Sequence, residues 1–195
     1  EIRDGEEFKI DDIISDCEAI RAAMKIPSWS VIGHSFGGML AVRYAYMFPQ
    51  SMEKVIYEAP SLYVYYTYRS YFEGLYQYFS ENGDTARADY CRLVMQTAST
   101  AREITAAFIH FPEGITQQAN SYLLNHCIKR DGNGLKYDYP VTTEEMGRRS
   151  LKAAKRILAD DTFYENHLGL LDHIQAPSLL LAGRYGRCCE EHQRA

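Results

Sequence analysis

The sequence predicts an α/β fold with a helical insertion, on three observations. Short apolar runs at residues 29–32, 55–57 and 178–182 have strand length. The first of them leads through a glycine-rich turn straight into a helical pattern. Between the second and third, residues 61–167 carry no strand alternation and read as successive helices. Strand, helix, strand, long helical insert, strand is the order of an α/β core with an inserted cap. It divides the chain into core segments at 1–60 and 168–195 and a cap at 61–167.

Ile10, Ile13, Ile14, Cys17, Ile20 and Met24 recur at helical spacing and predict an amphipathic helix over 11–25, ended by Pro27. Asp11 and Asp12 fall in its first turn, where negative charge suits the helix dipole. The strand at 29–32 passes through Gly33 into a helix over 36–48, stopped by Pro49. Gly38, Ala41 and Ala45 give that helix a small-residue face able to approach a sheet closely. The insert reads as an aromatic helix at 63–79, then helices at 84–95 and 101–110. Asp131-Gly132-Asn133-Gly134 is a turn, and Thr142 with Glu145 predicts a capping box on a basic helix reaching Leu158.

Composition narrows the partners. The net charge of -5 argues against nucleic acid and anionic membranes, and no apolar run approaches the roughly 20 residues of a membrane span. Five cysteines, an odd number without framework spacing, fit a reducing cytoplasm. The chain begins at Glu1 in a polar run without a signal peptide and ends at Ala195 inside a helical pattern, so a piece of a longer protein is expected. Its three strands would leave sheet edges open to self-association, which makes a homo-oligomer an expected partner state. Neither a cofactor nor a metal is expected: adjacent Cys188 and Cys189 with His192 cannot easily present two thiolates to one zinc.

The chemistry is carried by Gly33-His34-Ser35-Phe36-Gly37, a G-x-S-x-G pattern between a strand and a helix. A serine there must adopt a strained backbone conformation that lifts its hydroxyl clear of the sheet. Side chains at the glycine positions would collide with the neighbouring strand and helix. The Phe36 amide, at the helix N-terminus, points at the site and can stabilise an oxyanion. The pattern alone is weakly specific, and its strand–turn–helix context raises it. Neither a G-x-G-x-x-G nor a lysine-containing phosphate loop accompanies it.

Residues 31–38, with the flanking "AVRYAYMFPQSMEKVIYEAP" and "LDHIQAPSLLLAGRYG", resemble the α/β-hydrolase-fold serine hydrolases. The likeness is to the capped group that includes proline iminopeptidases and similar esterases or amidases. The resemblance implies a three-layer α/β-hydrolase sandwich with a mostly parallel sheet, here without its first strands and its C-terminal end. It also implies a small-molecule or short-peptide substrate, an acyl-enzyme on Ser35, and an oxyanion site at Phe36. A working serine needs a histidine base and an acid, in the chain order Ser, acid, His. Gly186 stands where the family resemblance places an aspartate. Glu58, at the end of the preceding strand, either replaces it as the triad acid, as in a group of haloalkane dehalogenases, or caps a helix or pairs with a cap residue. His34 belongs to the turn and is expected to support the loop and meet substrate. His110, His126, His167, His173 and His192 read as structural or surface residues, so the base is expected past Ala195. A catalytically silent binding protein of the same fold is the competing reading, supported by Gly186. The tyrosines at 63–78 line an aromatic pocket or pack a cap helix, and Arg148, Arg149, Lys152, Lys155 and Arg156 form a solvated basic face.

Overall fold

Three strands run parallel in the order β1–β2–β3 in the computed structural model, which describes residues 8–116, 118, 119, 123 and 144–182. Helix α1 (Ile10–Ala23) precedes β1 (Trp29–His34), which turns into α2 (Phe36–Met47) and returns as β2 (Met52–Glu58). Then come α3 (Val64–Glu81), α4 (Thr85–Thr97), α5 (Ala101–Ile109) and α6 (Glu144–Ala159), and finally β3 (Ser178–Leu181). Both strand-to-strand connections are helical crossovers, as parallel pairing requires. The predicted elements are present with ends displaced by a few residues. The turn at 131–134, Thr142, His126, Gly186, Cys188, Cys189 and His192 lie outside the described residues.

Helix α1 stops earlier than Pro27 would dictate. Lys25 adopts φ +56°, Ile26 N–H bonds the Arg21 carbonyl at 3.1 Å, and Lys25 N–H bonds Ala22 at 2.9 Å. This closes the helix in a Schellman turn before the proline is reached. Its apolar pattern also outruns its packing: Ile10 and Ile14 are fully buried, whereas Ile20 and Met24 are exposed. Asp11 finds a partner beyond the dipole, accepting a two-pronged bond from Arg43 of α2 at 2.6 and 2.9 Å.

Helix α2 lies on one face of the sheet with Gly38, Met39, Ala41, Val42 and Ala45 buried against Val55 and Tyr57. The small residues of α2 permit close approach to a loop as well as to a strand. A Cβ on Gly38 would fall 2.4 Å from that of Pro60. The opposite sheet face carries Ile32, Ile56 and Leu179 in one row of register. There Ile32 is 66% and Leu179 51% exposed. Parallel strands read as apolar on both faces.

The helices α3, α4 and α5 enclose a second core of Phe72, Leu75, Phe79, Cys91, Ile104 and Phe111. Asp84 caps α4 through the Arg87 N–H at 3.1 Å, and Thr100 with Glu103 forms a reciprocal capping box on α5. Tyr65 and Tyr68 touch both cores, so these members of the tyrosine cluster form a packed seam. In α6, Arg148, Arg149 and Lys155 are exposed, whereas Lys152 and Arg156 of the basic face are half-buried. The two chain crossings at the base of the insert meet: His167 N–H bonds the Leu62 carbonyl at 3.0 Å.

Candidate active site

Ser35 is the residue between β1 and α2, and its backbone has φ +52° and ψ -117°. An L-residue avoids this region, at a cost on the order of 1–3 kcal/mol, unless its surroundings enforce it. Three backbone bonds do so. Ser35 N–H donates to the Glu58 carbonyl at 3.1 Å, and the Ser35 carbonyl accepts from Gly38 N–H and Ser61 N–H, both at 2.9 Å. The connection after β2 is itself bent, with Ala59 at φ +41° and its N–H bonded to Leu181 of β3 at 2.7 Å. Sequence reasoning passed over Ala59, Pro60 and Ser61; their signal was the short "EAPS" run that leaves the strand next to the turn.

The glycines of the motif are not equivalent. A Cβ on Gly33 would sit 2.3 Å from the Gly37 carbonyl oxygen and 2.8 Å from the Ala41 Cβ, so only glycine fits. A Cβ on Gly37 would meet nothing within 4 Å, contrary to the expectation for that position. Phe36 occupies the first helical position, where a backbone N–H has no intrahelical acceptor and is available to an anion. Its ring packs on Phe163 with centroids 6.1 Å apart.

His34 and Glu58 are register partners at the C-terminal ends of β1 and β2, and their side chains meet with Nδ1–Oε2 at 3.4 Å. They are 68% and 54% exposed, so solvent screens the pair. Among the described residues Glu58 shows neither a helix cap nor an ion pair with the insert, and its carboxylate faces His34, the turn residue next to Ser35. The other described histidines lie elsewhere. His167 is buried, and its Nε2–H donates to the Thr162 carbonyl at 3.0 Å. Burial, reinforced by the Arg43 charge, pushes its imidazole down to about 4. The His173 ring lies against Tyr46 at 6.0 Å, and His110 follows the last turn of α5.

An apolar groove of about 440 Å³ runs between α1, β1 and α2, walled by Ile13, Cys17, Trp29, Val31 and Leu40. It touches the turn at Gly37, and Ser35 is not among its walls. Among the described residues no cluster of three or more His, Cys, Asp or Glu could hold a metal ion.

The chain matches the family model of the alpha/beta hydrolase fold over residues 2–188. It belongs to that family. Over 54 residues this α/β hydrolase is 43% identical to a proline iminopeptidase of Aspergillus aculeatus, covering 25% of this chain and 12% of that protein. A crystal structure of a probable hydrolytic enzyme from Pseudomonas aeruginosa aligns with a TM-score of 0.47 at 20% identity, over 94% of this chain and 51% of that one. A proline iminopeptidase of Mycobacterium smegmatis aligns at 0.48 and 17%, over 91% and 56%. The chain thus spans about half the length of these solved structures. No helix among the described residues is long and apolar enough to cross a membrane.

Proposed function

We propose that this α/β hydrolase is a serine hydrolase that cleaves a small ester or amide through an acyl-enzyme on Ser35. The observation that carries the reading is the backbone of Ser35 at φ +52°, held between a strand and a helix N-terminus. A strained serine in that place is a residue kept for its hydroxyl. In the reaction Ser35 Oγ attacks the carbonyl carbon while a histidine outside the described residues takes its proton. The Phe36 N–H receives the developing oxyanion. The same histidine returns the proton to the departing alcohol or amine, and water then releases the acyl group. Glu58 acts as the acid that orients the base, and His34, lying beside it, meets the substrate.

The stretch similar to a proline iminopeptidase supports an amide substrate, with release of an N-terminal residue as the finer proposal. We further propose a cytoplasmic protein that acts on small molecules or short peptides and associates with its own copies. The odd cysteine count, and the edges of β1 and β3 that carry no neighbouring strand among the described residues, support this. A fluorophosphonate probe tests the central reading. The intact protein is expected to label at neutral pH and Ser35→Ala to lose labelling entirely. Absence of labelling in the intact protein establishes the silent alternative, for which Gly186 speaks. For Glu58, a Glu58→Ala variant that kept full turnover would remove it from the triad. Turnover of a prolyl anilide against a simple aryl ester separates peptidase from esterase.

A further inference from the structure

The loop that enforces Ser35's backbone is tied to the first helix of the insert. Ser61 donates its N–H to the Ser35 carbonyl at 2.9 Å. Its hydroxyl pairs with Thr67 Oγ1 in the first turns of α3 at 2.8 Å. Both side chains are buried, each 6% exposed, so the pair is sealed from water and each hydroxyl depends on the other. Pro60, one residue earlier, packs directly on Gly38 of α2, where a Cβ would have no room. A displacement of α3 relative to the sheet therefore pulls on Ser61 and, through its N–H, on the Ser35 carbonyl.

We infer that Ser61 and Thr67 are positioning residues that couple the placement of the helical insert to the conformation of the nucleophile. The inference rests on the assignment of Ser35 as nucleophile for its catalytic consequence, and on geometry alone for the coupling. Substrate seated beneath the insert would draw α3 to its place, and the hydroxyl pair would transmit that placement to Ser35. Neither residue touches the reacting atoms.

The test uses the intact protein with Ser61→Ala, Thr67→Val, the double variant and Thr67→Ser. Backbone amide exchange at Ser61 and Gly38 reads the coupling directly. It is expected to rise about three- to tenfold in each single variant, the factor one hydrogen bond supplies. Thr67→Ser, which keeps the hydroxyl, is expected to match the parent. In the double variant both buried partners are gone, no orphan hydroxyl remains, and folding stability is expected to return toward the parent value. A merely structural pair would restore exchange and fluorophosphonate labelling along with stability. Coupling predicts that both stay altered, with labelling of the folded protein slowed by the same three- to tenfold. Unchanged exchange in a folded Thr67→Val protein, or full restoration in the double variant, overturns the inference. If the parent itself fails to label, the nucleophile assignment falls, and the exchange measurements alone still decide the coupling.

Discussion

Gly33 and Ser35 share the demands of a sharp turn from strand to helix: one supplies absent volume, the other accepts an unfavourable backbone. Replacing Gly33 with alanine drives a Cβ into the Gly37 carbonyl and Ala41, both part of α2. Such overpacking is expected to cost about 1–3 kcal/mol in urea unfolding. Gly37→Ala meets open space in a helix and is expected to stabilise by up to about 1 kcal/mol. Equal costs for the two would show that this asymmetry is wrong. The sequence pattern treats both glycines alike because it records which residue is present, and clearance depends on how α2 settles on Pro60 and the sheet. The serine's place in a strained turn between strand and helix was legible from its flanks. The His34–Glu58 pairing was not, because it follows from register between strands whose pairing no local pattern encodes.

At the scale of elements, the base of the insert is held by buried and part-buried polar contacts, one of which reaches α1 of the core. His167 binds Leu62 through its backbone and Thr162 through its ring, and Asp160 accepts from Ile10 N–H of α1 at 2.6 Å and Thr162 N–H at 3.0 Å. Burial alone would raise the Asp160 carboxyl, and these N–H bonds outweigh it and hold the group below its usual range. His167 gives the larger pH effect. Unfolded, the imidazole takes a proton near 6.5; folded, only near 4. Between those values the unfolded chain binds the extra proton, so stability is complete above about pH 6.5 and declines as pH falls toward 4. The decline from this group is on the order of 3 kcal/mol. Thermal unfolding followed from pH 7 to 4 is expected to show it, and His167→Gln to flatten the slope over that window. Helix existence was legible here, and so was more than was read: Thr100-x-x-Glu103 is a capping-box signature in plain sight. The Lys25 turn was hidden, since a left-handed lysine is chosen by the bonds around it and not by its own preference.

For the whole molecule, the two faces of the sheet differ in what covers them. In the 195-residue chain, Met39→Ala beneath α2 is expected to cost about 2–5 kcal/mol. Ile32→Lys on the opposite face is expected to change stability by no more than about 0.5 kcal/mol, because the side chain is mostly in solvent. Comparable losses in denaturant unfolding would mean that the second face is covered in solution. The α/β order and the helical insert were legible from periodicity. Which face is covered was not, since the strands are apolar on both sides and periodicity does not say on which of them a helix settles.

The strained turn at Ser35 also sets an order of events during folding. Two of the three bonds that enforce its left-handed backbone come from Glu58 and Ser61, so a chain emerging from synthesis lacks them until β2 has returned alongside β1. Before that moment the serine is an ordinary, relaxed residue. Its geometry is a late product of tertiary assembly, and a half-made chain carries the G-x-S-x-G sequence without the turn.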